Sequence, residues 1–508
     1  MESETHPAVQ RRLKLQELQR KGYDPYPRKF EYSHTITQVR QLWGQATAED
    51  LEKEGAGMHI CGRIMSLRPH GKAGFMDLSD GEHRVQVYVR LDIVGAEQFE
   101  LFQLFDLGDI VGAEGTLFRT RTNELTLKAG RLTHLSKNLV PLPEKWHGLT
   151  DVEARYRQRY VDLIVNPGVR DVFFKRSRII REIRNFLDGR GYLEVETPVL
   201  QPMAGGALAR PFQTHHNALG LDLYLRIALE LYLKRLIVGG IPRVYELSRI
   251  FRNEGISSHH NPEFTMLEFF QAYSDFHDLM ALTEEMITQV ARAVAGSAEV
   301  QFQEHTIDFS KWHRFTMKEA MVHFWPASAP PLTEEVFASL DSLRAVAREL
   351  QIEYAASDGR GKMIGNIFEA VVEPHLIQPT FIYEYPTEVS PLSKTKPGDP
   401  DTVERFELYV GGMELANAYS ELNDPEEQRA RFDEQLLERN RGHDEAHGMD
   451  EDYIRALSSG MPPTAGEGIG IDRLTMILTN SRSIRDVILF PLLRPESGSG
   501  SEASSVPA

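Results

Sequence analysis

The sequence predicts an α+β protein: a small closed β-barrel near the N-terminus, then a larger domain of antiparallel strands flanked by helices. Three observations lead there. Five short alternating runs, separated by Gly, Asp and Asn turns, fill residues 58–138. From Arg170 the apolar period becomes helical, with Ile179, Ile180, Ile183, Phe186 and Leu187 on one face. Strand pairs then follow, joined by turn signals such as Gly411-Gly412.

A chain of 508 residues has room for two or three domains. Its 41 % hydrophobic and 26 % charged residues match a folded globular chain and exclude wholesale disorder. Cys61 stands alone, so neither an internal disulfide nor a multi-cysteine zinc site is available, and a reducing cytoplasm is the expected compartment. No apolar run approaches a membrane span, and MESETHPAVQ has no apolar signal core, so no membrane partner is expected. The net charge of −17 argues against a basic coat for nucleic acid but leaves local basic stretches open.

Residues 1–57 form the lead-in. Within them, residues 11–30 hold seven Lys/Arg against two Asp/Glu. That stretch reads as a basic helix laid along phosphates or as a solvated helix packed on its neighbour. Residues 58–138 suit a five-stranded barrel, of which the oligonucleotide-binding (OB) fold is the commonest kind. Phe75, Gln86 and Glu124 lie on its strands. An aromatic can stack an unpaired base, and an amide or carboxylate can read its edge; the alternative is an ordinary barrel face. Residues 139–166 read as a linker ending in a short helix. Residues 167–494 form the large domain, with a helical insertion at about 275–380, and the Gly/Ser-rich residues 495–508 read as a disordered tail.

Three segments of the large domain carry chemistry. Arg243–Tyr273 reads as strand, polar loop, strand, with Arg252 and Glu254 on one face, His259 and His260 in the loop, and Phe264, Met266, Glu268 and Phe270 sharing a face on the return. A carboxylate among such neighbours needs a cation, and Arg252 offers a planar fork for phosphate or carboxylate. A structural Arg–Glu pair is the ordinary alternative. In Arg405–Asp424, the Gly411-Gly412 turn sets Tyr409 opposite Glu414 and puts Glu407 and Glu414 on one face. Two carboxylates with no excess of basic neighbours suit Mg²⁺ on a nucleotide; ordinary surface glutamates are the alternative. Strict alternation then puts Glu421 on the face opposite Glu414, unless a bulge intervenes near Ala416. The third segment, Gly466-Glu-Gly468-Ile-Gly470-Ile-Asp472-Arg473, lets another group approach the backbone and opens a helix at Arg473. It fits neither GxGxxG nor a P-loop. Glu230 begins another helix, where a glutamate is often just a dipole partner.

Together these segments resemble the signature motifs of the class II aminoacyl-tRNA synthetases. The likeness is closest to the lysyl enzymes, over roughly residues 10–494, through GGALARPFQTHHNALGLDLYLR, FRNEGISSHHNPEFTMLEF, ERFELYVGG, NAYSELND and PPTAGEGIGIDR. The resemblance implies a class II catalytic domain with an N-terminal OB-fold barrel that binds the anticodon. It also implies a homodimer through helix–strand 178–198. It gives Arg252 and Arg473 the catalytic roles, with Glu254, His260, Phe264, Glu407 and Gly470 joining them around ATP. It gives Gly206, Glu230, Arg252, Glu268, Asn417, Tyr419 and Glu421 to lysine, and Glu407 and Glu414 to Mg²⁺. About three Mg²⁺ per subunit are implied, with ATP as substrate. Phe75, Gln86 and Glu124 match the residues that read the anticodon of tRNA(Lys).

The implied reaction is lysine activation by ATP, then transfer to the 3′ end of tRNA. Paired buried carboxylates agree with lysine, since a neutral side chain would leave them without a counter-charge and aspartate would be repelled. Retention of the barrel argues against a ligase acting on a translation factor, and retention of Arg252, Glu254 and Arg473 argues against a dead paralogue. Two positions depart from the family: Phe270 stands where tyrosine is usual and Leu229 where proline is usual.

Overall fold

The computed structural model describes residues 6–55, 57–143, 149–207, 209–440 and 449–495; the predicted tail lies outside these, apart from residue 495. The chain divides into two compact units, residues 1–169 and 170–508.

The first unit opens with α1 (Pro7–Arg20), α2 (Ile36–Trp43) and α3 (Ala48–Glu54). It continues through β1 (Gly57–His70), β2 (Ala73–Ser79), β3 (Arg84–Arg90), α4 (Leu91–Gln103), β4 (Ile110–Arg119) and β5 (Leu125–Ser136), and ends in α5 (Val152–Arg157) and α6 (Arg159–Val165). The five strands close into a barrel in the order β1-β2-β3-β5-β4. Alternation puts Met76, Leu78, Val85, Val87 and Val89 inside. One expectation needs correcting: β3 and β4 are joined by a helix, not by a turn. Its Val94, Phe99, Leu101 and Phe102 pack into the barrel core on either side of a break at Gly95 (φ 81°), so tertiary burial holds helix where turns were expected.

The basic stretch is packed rather than free along α1. Leu18 is buried; Arg11 Nη1 donates to the carbonyls of Leu107 (2.9 Å) and Asn138 (2.8 Å). Lys14 pairs with Asp106 at 2.7 Å and Lys21 with Glu100 at 2.7 Å. Proximity to barrel carbonyls and carboxylates takes up charges that could otherwise meet phosphate.

The second unit begins with α7 (Val169–Asp188) and β6 (Leu193–Glu194), then the small sheet β7 (Leu200–Gln201), β8 (Gln213–His216) and β9 (Leu221–Leu225). Next come α8 (Glu230–Val238), β10 (Arg243–Phe251), β11 (Glu263–Ala272), α9 (Phe276–Ala295), and the hairpin β12 (Glu299–Phe302) with β13 (His305–Asp308). β14 (His313–Thr316) precedes four helices: α10 (Met317–His323), α11 (Glu334–Ala338), α12 (Leu340–Glu349) and α13 (Arg360–Val371). The rest is β15 (Thr380–Pro386), β16 (Thr395–Lys396), β17 (Asp399–Val410), β18 (Met413–Ser420), α14 (Pro425–Asn440), α15 (Glu451–Ser458), β19 (Thr464–Gly470), α16 (Ile471–Thr479) and α17 (Ile484–Val487).

The main sheet runs β14-β15-β17-β18-β19-β11-β10-β6, antiparallel except for the β14–β15 and β10–β6 pairs. One face packs on α7, α9 and α16 through Ile183, Phe186, Leu279, Ile287, Phe269 and Ile477. The helices after β14 form a core of their own with β15, through Met363, Ile367, Phe368 and Ile382. The Gly411-Gly412 turn has φ of 64° and 71°, the left-handed pair that a tight hairpin requires.

Candidate active site

The middle strands of the sheet floor a cavity of about 390 Å³. Glu268 on β11 lies opposite Gly468 on β19, which lies opposite Asn417 on β18. The next row reads Phe270, Gly466, Tyr419. The glycines hollow the floor: a Cβ at Gly466 would run into the Phe270 ring and Glu421 Oε1. The β17–β18 register slips by one residue, because Leu408 faces Ala416 while Tyr409 faces Glu414. This bulge lets Glu414, Asn417, Tyr419 and Glu421 line one cavity.

Three carboxylates gather at one end. Glu230 is the first residue of α8, Glu268 projects from β11, and Glu421 follows β18; all three are buried. The Leu229 backbone N–H donates to Glu268 Oε1 at 3.0 Å. Burial pushes Glu268 up to about 8, against that bond and with help from Glu230, so at neutral pH it keeps its proton until a cation arrives. Burial also raises Glu421 well above the carboxylate range, against the pull of Lys234 and with the push of Glu230. Glu421 Oε1 accepts no hydrogen bond.

Cationic and aromatic groups occupy the other end. Arg252 follows β10; its N–H donates to Pro262 O at 2.9 Å, and its guanidinium lies 5.2 Å from the Phe264 ring centroid. Ser257 Oγ lies 2.9 Å from His260 Nδ1. Burial and nearby Arg473 hold His260 below the ordinary imidazole value, so the ring is neutral at pH 7. Asp472 accepts from Thr265 N and from Arg176, each at 2.6 Å, and so pins the first turn of α16. From that turn Arg473 donates to the Glu414 carbonyl oxygen and lies 3.4 Å from Glu414 Oε2.

Gly206, Glu230, Arg252, Glu254, His260, Phe264, Glu268, Glu414, Asn417, Tyr419, Glu421, Gly470 and Arg473 all line this one cleft. Glu407 sits beside it. Its carboxylate accepts from Arg405 at 2.5 Å and from the hydroxyls of Tyr409 (2.5 Å) and Tyr385 (2.8 Å). The expectation of no excess basic neighbours is therefore corrected: Arg405 shares its strand face at i−2 and pairs with it. Negative charge still accumulates here, for burial and the carboxylates of Glu369, Glu414 and Glu407 push Glu373 up to about 7. All donors are oxygens, which fits a hard divalent cation. Among the described residues no group of three or more His, Cys, Asp or Glu forms a ready metal cage.

In the barrel, Phe75 and Gln86 share an outer face. Phe75 lies opposite Tyr88, with ring centroids 4.8 Å apart. Gln86 Oε1 accepts from Thr126 Oγ1 at 3.0 Å, which orients the amide. Glu124 is engaged by Arg40 at 2.8 Å, just before β5. Tyr88 and Arg40 escaped the sequence reading, although Tyr88 alternates with Gln86 on the same strand.

A family model described as tRNA synthetases class II (D, K and N) matches residues 151–494, and one described as an OB-fold nucleic acid binding domain matches residues 58–135. A lysine–tRNA ligase of Moorella thermoacetica is 54 % identical over 497 residues, covering 98 % of this chain and 99 % of the relative. Those of Pelotomaculum thermopropionicum (54 % over 488 residues; 96 % and 94 %) and Bacillus cytotoxicus (52 % over 490 residues; 95 % and 96 %) are similar across comparable spans. The chain belongs to the class II tRNA synthetases and, among them, to the lysine–tRNA ligases.

In this lysine–tRNA ligase, Leu229 supplies Glu268 with an N–H that proline lacks. Leu229→Pro is expected to raise the lysine KM about tenfold, the scale of a lost hydrogen bond to a charged group, and to move the acid limb of 1/KM to higher pH. Leu229→Met keeps both N–H and volume, and should leave KM and pH profile in place. Lysine-dependent ATP–pyrophosphate exchange against pH reads both.

Proposed function

We propose that the cleft activates L-lysine with ATP, giving lysyl-adenylate and pyrophosphate, and then passes lysine to the 3′ end of tRNA(Lys). The carrying observation is the polarity of one cavity: three buried carboxylates at one end, two arginines and an aromatic at the other. Glu268 and Glu421, with Asn417 and Tyr419 beside them, hold the ε-ammonium. Glu230 and Gly206 hold the α-amino group. The substrate carboxylate is then directed at Arg252, whose fork also takes the α-phosphate.

Phe264 stacks one face of adenine. Arg473 covers the other and reaches the γ-phosphate, with Gly470 admitting the nucleotide beside it. Glu254 and His260 complete the ATP contacts. Activation is an in-line attack of the lysine carboxylate on the α-phosphorus with loss of pyrophosphate. It needs alignment and charge neutralisation rather than a general base. Glu414 and Glu407 are the residues that would hold Mg²⁺, which would neutralise phosphate charge; about three ions per subunit is the family-derived number.

For tRNA, Phe75, Gln86 and Glu124 are the proposed anticodon readers. A homodimer through 178–198 is supported by the exposed apolar side chains of Phe174, Leu193, Val199, Leu200 and Met203 in and around that segment. Among the described residues no helix is long and apolar enough to cross a membrane, and the cytoplasm is the proposed compartment.

Exchange measured across the twenty amino acids without tRNA should respond to lysine alone; exchange with a neutral amino acid would contradict the pocket. Phe270 packs beside the unpartnered Glu421 Oε1 and brings no hydroxyl. Phe270→Tyr is expected to lower the lysine KM about tenfold at constant ATP KM, and an unchanged lysine KM would show that the missing hydroxyl costs nothing.

A further inference from the structure

Behind the lysine pocket lies a buried cation that no role above uses. Lys234 projects from the second turn of α8 into the space behind Glu230 and Glu421, and its side chain has no solvent exposure. Its Nζ lies 2.5 Å from Glu230 Oε1 and is ion-paired with Glu421 Oε2. The Tyr419 and Tyr453 ring centroids lie 5.5 and 5.8 Å away. The chain's own lysine thus occupies an ammonium cage built from two of the three carboxylates assigned to the substrate.

We propose that Lys234 is a positioning residue for lysine: a resident counter-ion that draws Glu230 and Glu421 together and turns them so that each shares itself between Lys234 and the substrate. The argument begins with charge. Three buried carboxylates share one buried ammonium, so full ionisation of the cluster would leave two negative charges uncompensated. L-lysine brings two ammonium groups, while an amino acid with a neutral side chain brings one. Geometry agrees, because Lys234 is ion-paired with Glu421 on the Oε2 side while neither carboxylate oxygen accepts a hydrogen bond, so Oε1 remains for a second cation.

The groups facing this ammonium are Glu230 on its own helix, Tyr419 on β18 with Glu421 just beyond it, and Tyr453 on α15; Glu268 faces Glu421 from β11. Neighbouring Arg235 is spent on Asp450 and Asp452. Burial opposes the charge on Lys234, but Glu230 and Glu421 outweigh it and hold its pKa well above the ordinary value. Without that charge, buried carboxylates this close take up a proton rather than ionise together, and the proton then competes with the substrate ammonium.

This inference rests on the pocket reading above, and the test separates the two. Lysine-dependent exchange is measured for wild type, Lys234→Met and Lys234→Arg between about pH 6.5 and 8.5. Lys234→Met should raise the lysine KM at least about tenfold at neutral pH, leave the ATP KM within about twofold, and recover toward wild type as pH rises. Lys234→Arg should restore most of the affinity. If Lys234→Met does not fold, Lys234→Gln, which keeps an N–H donor without charge, carries the same expectation. A lysine KM that is unchanged or lower, or a deficit that does not vary with pH, overturns the proposal. Glu268→Gln runs in parallel: if it too leaves the lysine KM unchanged, the pocket reading itself fails.

Discussion

Carboxylates buried together need positive charge, and the rest of the site is arranged around that need. Glu230, Glu268 and Glu421 are held out of water within one cleft. A carboxylate so placed either takes a proton or finds a cation. Here both solutions coexist: Glu268 is pushed up to about 8, while Glu230 and Glu421 share Lys234. The pocket is thus poised for a ligand carrying more than one ammonium group. Selectivity follows from the penalty of leaving these groups unpaired, which is larger than any discrimination by shape alone.

The scaffold makes this arrangement possible in three ways. Alternate glycines on β19 remove the side chains that would fill the cavity between β11 and β18. The bulge at Leu415 turns Glu414 toward the same cavity as Glu421. Asp472 ties α16 to β11 and α7, so Arg473 emerges at a fixed height above the floor. Charge therefore separates along the cleft, with carboxylates at the amino-acid end and arginines at the phosphate end. On the proposed assignment, that polarity orients lysine with its carboxylate toward the α-phosphate, and alignment is most of what the activation step needs.

Much of this was legible in sequence. The barrel strands were readable because period-2 alternation is strong in runs such as RVQVYVR, and the Gly411-Gly412 turn marked its hairpin plainly. The motif residues other than Glu407 fell into one cleft because each sits at a fixed offset from a strand end or turn. Four features were not legible for physical reasons. The helix 91–103 contains a glycine break, and only its packing into the barrel core explains it. Arg405 lies two residues before Glu407, but whether such a pair meets depends on rotamers and neighbouring tyrosines. Lys234 looked like one more cation in LYLKRL, and its burial against Glu421 depends on a contact 187 positions away along the chain. The Leu229 bond to Glu268 was likewise invisible, since a backbone N–H leaves no mark in sequence.

The central claim is that lysine binds by displacing a proton from the carboxylate cluster, chiefly from Glu268. Isothermal calorimetry of L-lysine binding to the intact protein, in two buffers of different ionisation enthalpy, counts that proton directly. The account predicts release of about one proton at pH 7, declining as pH passes through about 8. Identical heats in the two buffers at pH 7 would mean that no carboxylate gives up a proton, and would contradict it.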